Sequence, residues 1–369
     1  MIGLRTEANE RFFVAEAERI AELSLRLAER FLAGGRLLAV GASPQDRSDA
    51  HHVAVEFVHP VIVGKRALPA LALRADELTL HAEPGDAVIA FGLPVNALRG
   101  CLTIGFAPGA AEWEFEPPTD DPFVRQELVE TLYHVLWESV HVFLEHLGSS
   151  GSGAGSSGFL YPFLERGEVD LDAVLEDVAR SVVLKAHEVG ELRERTIGDG
   201  TEVAVAAAAL RERLDAGGKL LAFGNGGSAT DAMDVVADLQ TAGRRALDLT
   251  ADAAVLTALA NDVGPEVLFQ RQIIAHGREG DVALAISTSG GSANIIAALA
   301  EARRRGLETI AIIGYDGGRI AAEQLADHMV VAPSEYIPRI QEAHATAYHL
   351  LCERVSVGRA ARKTELARA

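Results

Sequence analysis

The feature that most constrains the fold is a short motif that occurs once in each half of the chain. Residues 33–39 read Ala-Gly-Gly-Arg-Leu-Leu-Ala, and residues 216–222 read Ala-Gly-Gly-Lys-Leu-Leu-Ala. In both places the motif follows a helix-like segment and leads into an apolar, strand-like run. A repeat at this distance indicates two tandem domains of one fold rather than a solenoid of short units.

A second shared pattern combines Gln, His and Glu near the end of each half. The same spacing separates Gln126, His134 and Glu138 as separates Gln341, His349 and Glu353. Between the halves, residues 148–158 contain only Gly, Ser and Ala, which is the composition of a flexible tether. We therefore predict domains at 1–147 and 159–369 joined by a linker at 148–158. Its composition is compatible with a natural linker and with an engineered one.

The second half alternates apolar strand-like runs with helix-like segments. The pattern predicts strands at 220–223, 245–249, 282–286, 309–313 and 328–331, and helices at 230–239, 253–261, 294–305, 320–325 and from about Arg339. This alternation is typical of an α/β fold, a three-layer α/β/α sandwich around a mainly parallel sheet. The first half is shorter, because residues 86–92 run almost directly into 102–106 and leave no room for a helix matching 294–305.

Two hydroxyl- and glycine-rich turns each separate a predicted strand from a predicted helix. We call residues 224–228, Gly-Asn-Gly-Gly-Ser, the Asn225 turn, and residues 287–292, Ser-Thr-Ser-Gly-Gly-Ser, the Ser289 turn. Helix N-termini offer backbone N–H groups and a favourable dipole to an anion. Both turns lack the lysine of a P-loop and the glycine spacing of a dinucleotide fingerprint. They predict a phosphate held by hydroxyls and amides, as in a sugar phosphate; plain loops with capping serines are the alternative.

Charge and composition narrow the classes of partner. The chain has 369 residues and a net charge of −19, which disfavours nucleic acid and anionic membranes as partners. Its two cysteines form neither a metal-binding spacing nor a disulfide framework. The N-terminus is too charged for a signal peptide, and apolar runs fall short of the ~20 residues that span a membrane. We expect a cytoplasmic protein that does not contact membranes.

The second half resembles the sugar isomerase (SIS) domain superfamily, and within it the phosphoheptose isomerases. The resemblance rests on both turns, on Asn261-Asp262 with the preceding Leu-Thr-Ala-Leu-Ala, on Gly-Tyr-Asp-Gly-Gly at 314–318, and on Arg-Ile-Gln-Glu-Ala-His at 339–344 followed by His349. The first half resembles the family mainly through its likeness to the second. The resemblance implies a sugar-phosphate site formed by Asn225, Gly226, Gly227, Ser228, Asn261, Asp262, Ser287, Thr288, Ser289 and Ser292.

The family's catalytic pattern is altered in the second half. Members carry His and Glu four residues apart on the helix after the first turn, and Gln and His eight apart on the last helix. These groups perform acid–base catalysis and, in some members, bind zinc. Here Asp234 and Asp238 stand at the His and Glu positions, while Gln341 and His349 remain. A shorter side chain displaces the reacting group, and about 1 Å of displacement can cost ~100-fold in rate.

The first half keeps the cluster and loses the turns. When Asp49-Ala50 is aligned with Asp231-Ala232, His52 and Glu56 fall at the family's His and Glu positions. Gln126 and His134 supply the other two groups, so the resemblance implies all four as catalytic residues and as ligands if zinc is bound. The segments that replace the turns, at 41–47 and 91–96, are poor in hydroxyls and glycines.

Helix length suggests how the two halves are used together. Ser228 lies ten residues before Asp238, which is about 15 Å along a helix. A heptose phosphate is too short to reach comfortably from one to the other. We therefore expect a composite site, with the phosphate turns of the second half and the His52 cluster of the first across a pseudo-two-fold axis.

Two classes of function follow. The first is aldose–ketose isomerisation of a sugar phosphate, most like sedoheptulose 7-phosphate to heptose 7-phosphate, with Glu56 and His134 moving the protons. The second is a non-catalytic sugar-phosphate-binding regulator or scaffold, which Asp234, Asp238 and the altered first half favour. A sugar-phosphate lyase or amino-sugar isomerase is a third possibility. We expect a homodimer, since two chains would hold four SIS copies.

Overall fold

The computed structural model describes residues 2–60, 64–148 and 170–366. It divides into two compact units, one running from Gly3 to Glu188 and the other covering Val189–Ala369. Most of the predicted linker at 148–158 lies outside the described residues, so the domain boundaries stay a prediction. In the described parts of the chain, no helix is long and apolar enough to cross a membrane.

The first unit is built around a five-stranded parallel sheet with the order β2-β1-β3-β4-β5. Its elements are α1 (Ile2–Leu32), β1 (Leu37–Gly41), α2 (Pro44–Val58), β2 (Ala70–Leu73), α3 (Leu78–His81), β3 (Ala87–Phe91), β4 (Leu102–Gly105), β5 (Trp113–Glu114) and α4 (Pro122–Gly148). As predicted, β3 leads to β4 without an intervening helix.

The second unit has the same sheet plan. The helix α5 (Leu171–Ile197) crosses the division between the units. It is followed by α6 (Thr201–Asp215), β6 (Leu220–Phe223), α7 (Gly227–Thr241), β7 (Ala246–Asp248), α8 (Ala253–Asp262), α9 (Leu268–His276), β8 (Val282–Ser287), α10 (Ala293–Arg304), β9 (Glu308–Gly314), α11 (Gly318–Ala322), β10 (His328–Ala332) and α12 (Ile337–Leu366). Its order, β7-β6-β8-β9-β10 from one edge, repeats that of the first unit strand for strand.

Both sheets are buried on both faces, which explains why their central strands are apolar without interruption. In β1, Leu37 and Ala39 join the core beneath α1, α2 and α4, whereas Leu38 and Val40 belong to a smaller cluster on the opposite face. In the second unit α9 and α10 cover one face, while α6, α7 and α12 pack on the sheet as well. The predicted α/β class is confirmed, as are the predicted strands of the second half to within about two residues.

The repeated motif forms the same junction in both units. Gly34 and Gly217 end the preceding helices with φ of 90° and 94°, where a side chain would strain the backbone. Gly35 and Gly218 allow close backbone approach, because a Cβ on either would lie 2.3 or 2.4 Å from the carbonyl oxygen of Gly85 or Gly280. The two glycines therefore let a helix end, a tight turn and a central strand meet.

A buried carboxylate completes each junction. Asp86 accepts hydrogen bonds from the backbone N–H of Arg36 at 2.9 Å and of Glu83 at 3.0 Å, and pairs with the Arg36 guanidinium at 2.7 Å. Asp281 accepts from the backbone N–H of Lys219 at 3.0 Å and pairs with its ammonium group. Burial acts to raise the pKa of Asp86, but these hydrogen bonds outweigh it and the pKa lies below its ordinary value.

We predict that Asp86→Asn lowers the free energy of unfolding of the first unit at pH 7 by about 2–3 kcal/mol, because it breaks a buried, hydrogen-bonded ion pair. A carboxylate with a depressed pKa stabilises the fold above its unfolded pKa of about 3.9 and loses this effect as the pH falls through the folded pKa. In denaturant unfolding, the difference in unfolding free energy between the wild type and Asp86→Asn should therefore be constant from about pH 5 to 7. It should disappear below about pH 4.

The matched control for this prediction is Asp76→Asn. Asp76 pairs with Arg74 at 2.9 Å, but both side chains are about 70% exposed, so its loss leaves stability unchanged. An Asp86→Asn gap of the same size at pH 3 as at pH 7 would contradict the role of the Asp86 charge.

Candidate functional site

The Asn225 turn joins β6 to α7 at the carboxyl edge of the second sheet. Gly226 precedes the helix with φ of 59°, and since glycine has no side chain, α7 begins without a side-chain cap. Gly224 lies against the turn that follows it, because a Cβ there would be 2.2 Å from the carbonyl oxygen of Ser228. The turn thus brings the helix N-terminus close to the strand end. There the N–H groups of Ser228 and Ala229 donate to the carbonyls of Asn225 and Gly226 at 3.1 and 2.9 Å, and the helix dipole favours an anion.

The Ser289 turn follows β8 at the same edge, since β6 and β8 are adjacent parallel strands. Its hydroxyls order the loop: Ser287 Oγ accepts the N–H of Gly290 at 3.2 Å, and Ser289 Oγ accepts the N–H of Gly291 at 3.2 Å. Ser292 is the N-cap residue of α10, yet among the described residues its side chain makes no capping hydrogen bond. The second helix N-terminus at this edge therefore has no cap from its N-cap residue, and Asn294 Oδ1 accepts the N–H of Ile295 in its first turn at 3.0 Å.

A glycine loop at residues 314–318 supports the Ser289 turn from behind. A Cβ on Gly290 would lie 2.2 Å from the carbonyl oxygen of Gly317, and one on Gly314 would lie 2.3 Å from that of Thr288. Tyr315 adopts a φ of 54°, which is uncommon for a residue other than glycine. The Gly-Tyr-Asp-Gly-Gly motif therefore packs against the binding turn and fixes its backbone.

A pair of side-chain amides links the two turns. Asn225 Nδ2 donates to Asn294 Oδ1 at 3.0 Å, and Asn294 Nδ2 donates to Asn225 Oδ1 at 2.8 Å. Asn294 was absent from the residues implied by the sequence. Its position in the first turn of α10, two residues after Ser292, is the signal that could have identified it.

Asn261 and Asp262, which the sequence also predicts to bind the sugar, lie on α8. They end α8, are exposed, and Asn261 Nδ2 donates to Asp262 Oδ1 at 2.7 Å. None of the residues of α8 is buried. Their predicted role in binding the sugar therefore stays a prediction.

The first unit brings three predicted catalytic groups together in a buried cluster. His52 and Glu56 lie one turn apart on α2, and His134 lies on α4. His52 Nε2 is 3.4 Å from His134 Nε2 and 3.8 Å from Glu56 Oε1, and all three side chains are almost completely buried. The three groups offer ligand atoms within 4.8 Å of one another.

The donor set of this cluster fits zinc. Two imidazole nitrogens that bind one tetrahedral zinc at about 2.0–2.1 Å lie roughly 3.3–3.4 Å apart, which matches the separation of His52 and His134. Two histidines and one carboxylate are also the ligand types of many catalytic zinc sites. The fourth predicted group, Gln126, donates from Nε2 to Asp49 Oδ2 at 3.2 Å. Asp49, which the sequence indicated only as an alignment anchor, thus orients Gln126 beside the cluster.

The corresponding cluster of the second unit is rich in carboxylates. Asp234 and Asp238 on α7 and His349 on α12 also offer ligand atoms within 4.8 Å. Asp234 Oδ2 accepts hydrogen bonds from Tyr348 at 3.1 Å and interacts with His349 Nε2 at 3.3 Å. These contacts hold one oxygen of the carboxylate, while Asp234 Oδ1 is buried without a hydrogen-bond partner among the described residues. A set of two carboxylates and one imidazole suits zinc less well than the two imidazoles of the first unit.

The turn after β1 in the first unit differs from the Asn225 turn, because it has a side-chain cap. Ser43 and Asp46 form a capping box at the start of α2: Ser43 Oγ accepts the N–H of Asp46 at 3.0 Å, and Asp46 Oδ2 accepts the N–H of Ser43 at 2.8 Å. The same carboxylate lies over Gly92, where a Cβ would be 2.4 Å from it. An internal carboxylate therefore occupies the helix N-terminus and lies against the end of β3.

Two further residues of the Arg-Ile-Gln-Glu-Ala-His motif are structural. Glu342 is fully buried and pairs with Arg339 at 2.9 Å, as Glu127 at the equivalent position pairs with Arg5 at 2.9 Å. Complete burial lowers the pKa of His344 to about 4, although a backbone interaction with Ile313 opposes it. This histidine is therefore neutral near pH 7, in line with a packing role.

We predict that Gly290→Ala abolishes binding of inorganic phosphate, because the new methyl group meets the Gly317 backbone and displaces the Ser289 turn. Gly217→Ala is the matched control: its φ is also positive, but a Cβ there has open space. The control should lose about 1–3 kcal/mol of stability and keep its phosphate affinity in calorimetry. Equal loss of phosphate affinity in both variants would show that the close approach is unimportant.

Comparison with known proteins identifies an SIS domain in the second half of the chain. A family model described as the SIS domain matches residues 186–314. A phosphoheptose isomerase of Paramagnetospirillum magneticum is 46% identical over 170 residues, which cover 42% of this chain and 88% of the relative. A phosphoheptose isomerase of Geobacter metallireducens is 41% identical over 182 residues, covering 47% of this chain and 94% of the relative.

A solved structure extends the similarity to both units. The C-terminal domain of glucosamine-fructose-6-phosphate aminotransferase from Francisella tularensis covers 96% of this chain and 94% of its own, with a TM-score of 0.61 and 11% identity. At this identity the match concerns the fold alone. It agrees with the two sheets of identical strand order described above.

Proposed function

This chain belongs to the SIS domain family, and we propose that it interconverts an aldose and a ketose that carry a phosphate group. The observation that carries the proposal is the pair of turns at one sheet edge, with two adjacent helix N-termini that receive no side-chain cap from their N-cap residues. Because its similar relatives are phosphoheptose isomerases, we propose sedoheptulose 7-phosphate as the ketose and a heptose 7-phosphate as the aldose.

In this proposal the turns bind the phosphate without a cationic side chain. The N-termini of α7 and α10 contribute backbone N–H groups and partial positive charge. The hydroxyls of Ser228, Thr288 and Ser292, with those of Ser287 and Ser289 that order the loop, add donors that suit phosphate oxygens. Asn261 and Asp262 would bind sugar hydroxyls if the substrate extends to the end of α8.

We propose that the proton transfers are made by the cluster of the first unit. Glu56 would accept the proton from the carbon next to the carbonyl group, and the electron pair of that C–H bond would form the C=C bond of an enediol. His134 would move the proton between the two oxygens, and Glu56 would return its proton to the neighbouring carbon. Atoms and electrons balance within the sugar, and positioned acid–base groups of this kind contribute about 10²–10⁴-fold.

A divalent metal fits the same cluster. His52, Glu56 and His134, with Gln126 beside them, would hold zinc, which would supply Lewis-acid polarisation of the sugar carbonyl when bound. His52 then acts as a metal ligand rather than as an acid–base group. Asp49 keeps the Gln126 amide oriented through its hydrogen bond.

The composite arrangement is supported by sequence and by distance along a helix. The second unit has the open turns but two Asp residues in its cluster, whereas the first unit has the complete cluster but a turn filled by Asp46. Ten residues of helix, about 15 Å, separate Ser228 from Asp238. We therefore propose that turns and cluster from different repeats serve one substrate.

A non-catalytic sugar-phosphate-binding role is the second candidate. The hydrogen-bonded Asp234 and the self-filled turn of the first unit favour it, since both are changes away from catalysis. In that case the protein would bind the sugar phosphate and transmit its presence to a partner.

We predict that the protein converts sedoheptulose 7-phosphate to an aldose. NMR of the product measures this conversion. Glu56→Gln and His134→Ala should each lower kcat by about 10²–10⁴-fold because they remove an acid–base group. The matched variants Asp238→Asn and His349→Ala, in the other cluster, should leave kcat unchanged. Tight binding of the sugar without turnover would support the regulatory role, and loss of kcat in the Asp238→Asn variant alone would overturn the assignment of the cluster.

We predict that purified protein binds zinc in the first unit. His52→Ala should abolish zinc binding measured by titration and by metal content, because it removes one of the two imidazoles. Asp234→Ala, its counterpart in the second unit, should retain the metal. Zinc that survives His52→Ala but is lost in Asp234→Ala would show that the wrong cluster has been chosen.

A further inference from the structure

The reciprocal amide pair between Asn225 and Asn294 joins residues 69 positions apart in the chain. One residue belongs to the loop after β6 and the other to the first turn of α10. The pair lies at the protein surface, where it contributes little to burial. Its effect is to tie together two turns that lie at the ends of adjacent parallel strands.

The orientation of Asn294 is fixed by the backbone of its own helix. Asn294 Oδ1 accepts the N–H of Ile295 at 3.0 Å in addition to the Nδ2 group of Asn225. A flipped amide would place its NH₂ group against that N–H, so the oxygen must face the helix. Asn294 Nδ2 is then directed at Asn225 Oδ1, and this contact sets the orientation of Asn225 in turn.

The Asn225 turn needs such a restraint because three of its five residues are glycines. Glycine gains more conformational freedom than other residues when it is released, and ordering one residue costs about 1–2 kcal/mol. The Ser289 turn is already held by its own hydroxyls and by the glycine loop behind it. Asn294 therefore connects the Ser289 turn to a glycine-rich turn that is held by backbone hydrogen bonds, from Ser228 to Asn225 and from Ala229 to Gly226.

We propose that Asn294 is a positioning residue that holds the Asn225 turn in its phosphate-binding conformation by means of this amide pair. The inference rests on the phosphate site of the proposed function, but it does not depend on which sugar is bound or on whether turnover occurs. The ligand class it addresses is a phosphomonoester, because both turns end at helix N-termini.

The described part of the first unit lacks the amide pair, and its turn after β1 is restrained in another way. Ala42 occupies the position equivalent to Asn225, and the helix that would carry a partner is missing between β3 and β4. There the Asp46 carboxylate bonds to Ser43 and lies over Gly92. A neutral amide pair, by contrast, restrains the turn of the second unit without placing a negative charge where a phosphate would bind.

The test compares the full-length protein with Asn294→Ala, Asn225→Ala and the double variant, using calorimetry with inorganic phosphate and with sedoheptulose 7-phosphate. Asn294→Ala should weaken both ligands by about 3- to 10-fold, the value expected for two surface hydrogen bonds. Because Asn294 acts through Asn225, the double variant should bind no more weakly than Asn225→Ala alone. In turnover assays KM should rise while kcat is unchanged.

The control is Asn96→Ala in the first unit, where an exposed asparagine amide donates to the carbonyl of Gly109 at 2.8 Å; it should leave phosphate affinity unchanged. Full additivity of the two single changes, or unaltered affinity in Asn294→Ala, would overturn the proposal. Wild-type protein that binds phosphate without isomerising the sugar would refute only the isomerase assignment, whereas absence of phosphate binding would refute both.

Discussion

Each unit depends on the junction where a helix ends, two glycines turn the chain and a central strand begins. A buried carboxylate, Asp86 or Asp281, binds both the backbone N–H and the cationic side chain of the residue just before the strand, Arg36 or Lys219. This contact sets the register between the two central strands, β1 with β3 and β6 with β8, because the carboxylate belongs to the turn that precedes the second strand. The carboxyl edge of the sheet, where the turns lie, is positioned as a consequence.

The turns at the carboxyl edge of the sheet differ between the two units, although the sheets have the same strand order. In the second unit, glycines and hydroxyls leave two helix N-termini without a side-chain cap from their N-cap residues, and an uncharged amide pair spans them. In the first unit, Asp46 satisfies the helix N-terminus with a carboxylate and excludes an external anion by charge and by volume. In addition, Ala42 replaces Asn225 and the helix equivalent to α10 is missing between β3 and β4, so several changes distinguish this turn from that of the second unit.

Local sequence patterns were sufficient to predict most elements of the second sheet, because each strand is a short apolar run bounded by glycine or polar residues. They missed α9 (Leu268–His276), which is only nine residues long and follows a Gly-Pro break, and β5, whose two residues form no pattern. The turns and the His52 cluster could be identified because a repeat and a family resemblance placed them. Asn294 and Asp49 could not, since their roles arise from contacts with residues 69 and 77 positions away. The capping box of Asp46 with Ser43 is a local pattern, but the contact of Asp46 with Gly92 is 46 positions away and could not be predicted.

The proposed composite site would give a physical reason for the differences between the two copies. After duplication, a site that takes its turns from one copy and its cluster from the other uses only half of each copy. The unused half is then free to change: a turn can acquire a capping carboxylate, which stabilises its helix by about 0.5–2 kcal/mol, and two Asp residues can replace a His–Glu pair. The changes fall on the turn of the first copy and on the cluster of the second. Decay of a whole unused copy would instead have affected turn and cluster together, and the first copy retains a buried cluster with zinc-like spacing.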